Sequence, residues 1–123
     1  MNKTILIVDD NPDVRFGVKV GLENHVEKIN LIEIENGKKC IEYLESNPNP
    51  DLILLDIMMP EMDGWEVASR IKDNPVWKNI PIFFLTAKND PYSESFGKLV
   101  SSKYISKPFD LNELIKSIDG LIG

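Results

Sequence analysis

The stretch Asp51-Leu52-Ile53-Leu54-Leu55-Asp56 sets four consecutive aliphatic residues between two acids. A strand with one wet face alternates apolar and polar residues. This one does not alternate, so it reads as a strand buried on both faces, as inner strands of parallel sheets are. Four further segments read as strands: Thr4 to Asp9, Ile29 to Glu35, Ile80 to Thr86 and Lys103 to Ser106. Stretches of helical spacing lie between and after them. The first starts with Asn11 as N-cap and Pro12 at the first helical position, where a missing N–H costs nothing. Its inner stripe is Val14, Val18 and Leu22, with Gly17 and Gly21 on the same side. The second runs from about Asn36 to Ser46 and buries Cys40, Ile41 and Leu44. The third follows Gly64 and offers Val67, Ala68 and Ile71. The fourth is capped by Asp90, starts at Pro91 and packs through Phe96, Leu99 and Val100. The fifth has Asp110 as cap and Glu113 at capping-box spacing, then Leu111, Leu114, Ile115, Ile118 and Leu121 on its inner side.

Strands alternating with helices in this way imply an α/β fold, a doubly wound (βα)5 parallel sheet with helices on both faces. The common order for five such units is 2-1-3-4-5, flavodoxin-like. Ligands in such sheets sit outside the carboxyl ends of the strands, where the order reverses between strands 1 and 3.

The chain has 123 residues, which suits one domain spanning residues 1–123 with no output domain. Hydrophobic residues make up 42% and charged residues 28%, the balance of a globular protein and not of a disordered one. Fourteen basic residues against 20 acidic ones give a net charge of -6, which opposes binding to nucleic acid or to an anionic membrane. A lone cysteine, Cys40, excludes an internal disulfide and a cysteine-based zinc site. The apolar runs are too short to span a bilayer. Met1-Asn2-Lys3-Thr4 leads straight into a strand without a signal peptide. The expected location is cytoplasmic.

The strand ends carry the chemistry. Strand 1 ends in Asp9-Asp10, strand 3 in Asp56 and strand 4 in Thr86, and strand 5 is followed by Lys107-Pro108. Under the order 2-1-3-4-5 these groups face one cleft. Carboxylates crowded together raise one another's pKa, and a hard divalent cation relieves the conflict. All-oxygen ligation by few protein groups suits Mg²⁺. Lys107 brings a mobile positive charge for a phosphoryl oxygen, and Thr86 a hydroxyl donor. Asp56 stands at the end of the middle strand and is the expected nucleophile, since aspartate can carry a phosphoryl group.

The sequence resembles the receiver domain of two-component response regulators, in its chemotaxis-type single-domain form. The residues that carry the resemblance are Ile5 to Pro12, Asp51 to Gly64, Ile80-Pro81-Ile82 through Leu85-Thr86-Ala87, and Tyr104 to Phe109. They cover essentially the whole chain, in order. The resemblance implies Asp56 as phosphoacceptor. It implies Asp9, Asp10, Asp56 and the backbone carbonyl of Met58 as ligands of Mg²⁺, with Mn²⁺ as a substitute. It implies that Thr86, Ala87 and Lys107 bind the phosphoryl group, that Thr86 and Tyr104 form a switch pair, and that the Lys107–Pro108 bond is cis. The donor would be a phosphohistidine on a histidine kinase or phosphotransfer protein. The domain would catalyse only its own phosphorylation and dephosphorylation. Its output would pass to a downstream partner, an output domain or a phosphorylation-dependent homodimer. The pattern departs from the family before strand 5, where Ser101-Ser102-Lys103 replaces a small Gly-Ala-Asp-like turn after a fourth helix containing Gly97.

Other residues have plainer readings beside the sharper ones. Tyr104 could be half-buried packing without a switching role. His25 ends the first helix as a partly buried or capping residue, Cys40 is a small core residue, and Trp65 and Trp77 pack around the third helix. Phe16 and Val20 lie opposite the inner stripe of the first helix and are expected to be exposed. They are either a partner contact or scattered surface apolars. Met58 and Lys88 stand two residues after Asp56 and Thr86. Neither is a good acceptor for positioning an attacking water, so slow hydrolysis of a phosphoaspartate is expected. Three rival functions stand beside this one: a flavin module, a phosphohydrolase with an aspartyl nucleophile, and a degenerate receiver. The acidic loop Asp9 to Asp13 would repel a flavin phosphate, Met58 stands where a hydrolase carries its second acid, and every chemical position of a working receiver is filled.

Overall fold

The computed structural model describes residues 3–25, 29–87, 103–107 and 109–122. The elements are β1 (Lys3–Val8), α1 (Pro12–His25), β2 (Ile29–Ile34), α2 (Gly37–Ser46), β3 (Leu52–Asp56), α3 (Gly64–Asp73), β4 (Ile82–Ala87), β5 (Lys103–Lys107) and α4 (Leu111–Ile122). The fifth helix of the sequence analysis is α4 here. The fourth, with Asp90, Pro91, Phe96, Gly97, Leu99 and Val100, lies outside the described residues, as do Lys88, Ser101, Ser102 and Pro108.

The strands form one sheet in the order β2-β1-β3-β4-β5, and each neighbouring pair runs parallel. This is the doubly wound order expected. Side chains alternate between faces along each strand, so the sheet divides the core in two. Ile5, Ile7, Leu52, Leu54, Phe83 and Leu85 meet Val18 and Leu22 of α1 and Leu114 and Ile118 of α4. Leu6, Val8, Ile53, Leu55, Ile82 and Phe84 meet Cys40 and Leu44 of α2 and Val67, Ala68 and Ile71 of α3. Every residue of β3 is buried, which is why its sequence shows no alternation.

Polar groups mark the element ends. Asn11 accepts from the Asp13 N–H, Asn36 from Lys39 and Asp63 from Glu66, each satisfying a donor that the first turn leaves open. Asp51 stands outside the β3 ladder and clasps Thr4. Its Oδ2 accepts the Thr4 N–H at 2.8 Å, and its own N–H donates to the Thr4 carbonyl at 2.8 Å. Among the described residues, no helix is long and apolar enough to cross a membrane.

Several expectations need correction. β4 starts at Ile82 and not at Ile80. Ile80 closes a turn by donating to Trp77, and Pro81 has no N–H to give a ladder. Asp9 lies one residue past β1, although its N–H still donates to the Ile34 carbonyl. Gly17 faces open space, whereas Gly21 is buried against Leu111. Asp110 accepts from the Asn112 N–H and not from Glu113, so the cap is tighter than a capping box. Leu121 is exposed: it stands in the last turn of α4, which ends at Ile122, while Leu114 and Ile118 before it are buried.

The Cys40 side chain is fully buried, and burial pushes its thiol up to about 12. The unfolded chain ionises this thiol first, so its contribution to stability holds below pH about 9 and is lost as pH rises toward about 12. We expect the unfolding free energy to fall in that window by up to ~1.4 kcal/mol per pH unit more steeply than in Cys40→Ala. Denaturant titrations of both proteins from pH 8 to pH 11 check this, and equal slopes would refute it.

Candidate functional site

β1 and β3 are neighbours in the sheet, and the acids that follow or end them meet. Asp9 is fully buried, and Asp56, the last residue of β3, is 3% exposed. Asp10 is exposed to solvent. One carboxylate oxygen from each of Asp9, Asp10 and Asp56 lies within 4.8 Å of the others. β5 delivers a cation to the same place. The Lys107 ammonium donates to Asp9 Oδ2 at 2.7 Å and lies 3.2 Å from Asp56 Oδ1.

Each polar group of Asp9 is engaged. Its N–H donates to Ile34, Oδ1 accepts the Asn11 N–H at 2.9 Å, and Oδ2 accepts from Lys107. Its backbone carbonyl accepts from Arg15 Nη1 at 2.7 Å. Asp56 is less well served: Oδ1 accepts the Met58 N–H at 3.3 Å and faces Lys107. Burial pushes the Asp56 carboxyl up to about 6, and the Asp9 charge adds to this, while Lys107 and the Met58 N–H oppose it. For Lys107, burial works against its charge. The hydrogen bond to Asp9 and the two carboxylate charges outweigh it and hold the ammonium above its ordinary value.

The loop after β3 is packed tightly. Gly64 donates its N–H to the Ile57 carbonyl at 2.9 Å. A Cβ on Gly64 would lie 2.5 Å from the Asp56 carbonyl oxygen and 2.8 Å from the Ile57 Cα. Only glycine lets the start of α3 press on the backbone that carries Asp56. Glu61 bends the same loop with φ 68°, in the left-handed region.

The other expected site residues fall around this cluster. Thr86 is buried at the end of β4, one residue beyond Leu85, the partner of Asp56. Ala87 pairs with Lys107, and Thr86 with Ser106. Tyr104 is half-buried, with its ring stacked on Phe84 at 5.3 Å and 6.1 Å from Trp65. The Met58 side chain points to solvent and is 65% exposed. Phe16 and Val20 are exposed on α1, at 64% and 41%. Trp65 and Trp77 are half-buried against the α2–α3 side of the core. The side chain of His25 lies outside the described residues.

Arg15 belongs to none of the motifs read from the sequence. A legible signal existed, because helical side chains lean back toward the N-terminus and Arg15 lies in the first turn after the acidic pair.

The donor set suits a divalent cation. Its atoms are all carboxylate oxygens, which hard cations prefer, and two of the three acids are withdrawn from water.

The profile of the response regulator receiver domain matches residues 5–119. The chain belongs to that family. It is 43% identical over 115 residues to a Vibrio cholerae protein named "probable cyclic di-GMP phosphodiesterase", covering 93% of this chain and 25% of that protein. It is 37% identical over 123 residues to the phosphate regulon transcriptional regulatory protein PhoB of Pseudomonas aeruginosa, covering 99% of this chain and 52% of that one. The chain thus spans a quarter to about half of these relatives, and a relative's activity as a whole protein does not transfer to it. The crystal structure of a CheY-like receiver domain protein from Methanospirillum hungatei superposes with a TM-score of 0.80 at 39% identity, over 94% of this chain and 90% of that one.

The raised carboxyl of Asp56 has a consequence for the protein without divalent cation. Its stabilising neutral form is fully present below pH about 4, and that contribution is lost as pH rises through about 6. In chelator at pH 7.5, Asp56→Asn is expected to be more stable than the parent protein by about 1–3 kcal/mol. The gap should close as pH falls toward 4. Urea titrations of both proteins at the two pH values check it, and a less stable Asp56→Asn at pH 7.5 would refute it.

Proposed function

We propose that this receiver domain is a phosphorylation switch spanning the whole chain, with Asp56 as the phosphoacceptor. The observation that carries the reading is the meeting of Asp9, Asp10, Asp56 and Lys107 at one end of the sheet. The donor is a phosphohistidine on a histidine kinase or phosphotransfer protein. An Asp56 carboxylate oxygen attacks the phosphorus, a P–O bond forms, the P–N bond breaks, and its electron pair returns to the imidazole. A Mg²⁺ ion on Asp9, Asp10, Asp56 and the Met58 carbonyl, or Mn²⁺ in its place, would supply positive charge at the phosphoryl oxygens.

The chain's own residues do the rest. Asp9 is held by four hydrogen bonds and keeps its carboxylate in place. Lys107 already faces Asp56 and can turn its ammonium to a phosphoryl oxygen. Thr86 donates its hydroxyl to another. Side chains at Phe84 and Thr86 share one face of β4, and their partners Tyr104 and Ser106 share the same face of β5. A shift of Thr86 toward the phosphoryl group therefore changes the space beside the Tyr104 ring. That coupling would alter a partner-binding surface, for a downstream partner, an output domain or a second copy. The location proposed for this exchange is the cytoplasm.

Incubation with MgCl₂ and acetyl phosphate is expected to raise the intact mass by one phosphoryl group, with no gain for Asp56→Asn or in chelator. A gain of the same size in Asp56→Asn would overturn the assignment. We propose the exposed Phe16 and Val20 on α1 as a contact for the kinase, the alternative being scattered surface apolars. Phe16→Ser with Val20→Ser is expected to slow phosphotransfer from the cognate kinase by about tenfold and to leave the acetyl phosphate rate unchanged. Equal transfer rates would remove the contact.

A further inference from the structure

Arg15 grips the acidic loop from a place that none of the roles above uses. Its side chain is only 15% exposed. Nη1 donates to the Asp9 backbone carbonyl at 2.7 Å, while Nε lies 3.4 Å from Glu33 Oε1 on β2. A guanidinium presents several donors in one rigid plane, so it can span a carbonyl and a carboxylate together. The Asp9 carbonyl belongs to the peptide unit that leads into Asp10. This unit is planar, so fixing its oxygen fixes the direction in which the Asp10 Cα leaves. Among the described residues, nothing hydrogen-bonds or ion-pairs with the Asp10 carboxylate. Its position in the cluster therefore depends on the backbone beneath it.

We infer that Arg15, anchored by Glu33, is a positioning residue that holds the Asp9–Asp10 peptide so that the Asp10 carboxylate joins those of Asp9 and Asp56 around a divalent cation. This rests on the reading that the three acids bind such a cation. It also predicts an effect opposite in sign to that of simple charge. Removing a positive charge close to a cation site tightens cation binding by Coulomb's law. Removing a clamp on the ligand backbone loosens it, as loss of outer-shell partners commonly does by about 10–100-fold.

Mn²⁺ titration followed by the loss of the free-ion electron paramagnetic resonance signal separates the two. Arg15→Gln should bind Mn²⁺ about tenfold more weakly than the parent. Arg15→Lys, which retains the charge and one donor for the Asp9 carbonyl, should fall between them. Glu33→Gln should weaken binding less than Arg15→Gln, because it removes the anchor and leaves the clamp. Thermal melts in chelator show whether each variant is folded. If Arg15→Gln does not melt cooperatively, Arg15→Lys and Glu33→Gln decide, and parental affinity in both overturns the inference. Affinity in folded Arg15→Gln equal to or tighter than the parent also overturns it, leaving the cation site intact. A parent protein with no saturable Mn²⁺ binding overturns the cation site and this inference together.

Discussion

The Lys107 ammonium lies 2.7 Å from Asp9 Oδ2 and 3.2 Å from Asp56 Oδ1, between two carboxylates almost wholly withdrawn from water. Burying one carboxylate without a partner costs several kcal/mol, roughly, and two side by side add their repulsion. The fold tolerates the pair because a cation from the far end of the chain is held against both. That arrangement makes demands on everything beneath it. β1 and β3 must be neighbours, β5 must end at the same rim, and the intervening β4 must be parallel and in register. A slip of one residue in any of these strands would turn its last side chain to the other face.

The two-sided core supplies the rigidity that this demands. β3 has helices on both sides, and none of Leu52 to Leu55 reaches water. Truncating any one of them to alanine removes about 2–5 kcal/mol, a large share of what a domain of this size has to spare. The rim differs in character from this core. Asp10 and the Met58 side chain are exposed, and the loop after β3 is shaped by a left-handed Glu61 and by the close approach of Gly64. A stiff platform thus carries a reactive edge whose parts are set by backbone contacts as much as by side chains.

The architecture was legible because the physics that sets it is periodic. Unbroken apolar runs mark strands covered on both faces, and their alternation with helical spacing leaves one common sheet order. The acidic cluster followed from that order, since Asp9, Asp10 and Asp56 are strand-end residues of sheet neighbours. Features that escaped depend on single contacts. Arg15 acts on a backbone carbonyl, which no side-chain pattern announces. Gly17 lies among the inner-stripe residues of the first helix in sequence, yet a residue without a side chain gives no hydrophobic signal of its own, and it faces open space. Pro81 shortened β4 through a missing donor, and Leu121 keeps the spacing of the inner side but is exposed in the last turn of α4. Glu113 had the right spacing for a cap, but Asp110 turned to the nearer N–H of Asn112.

Cys40 has a practical corollary. It is the one cysteine in the sequence, and α2 presses it completely into the core. Thiol-directed reagents act on the thiolate and need access to the sulfur, so the native chain offers a nearly silent background. A cysteine introduced on the outer face of α1 or at the rim would take a fluorophore or spin label selectively, without first deleting the natural one. Distances across the domain can therefore be followed in a protein that keeps its own core.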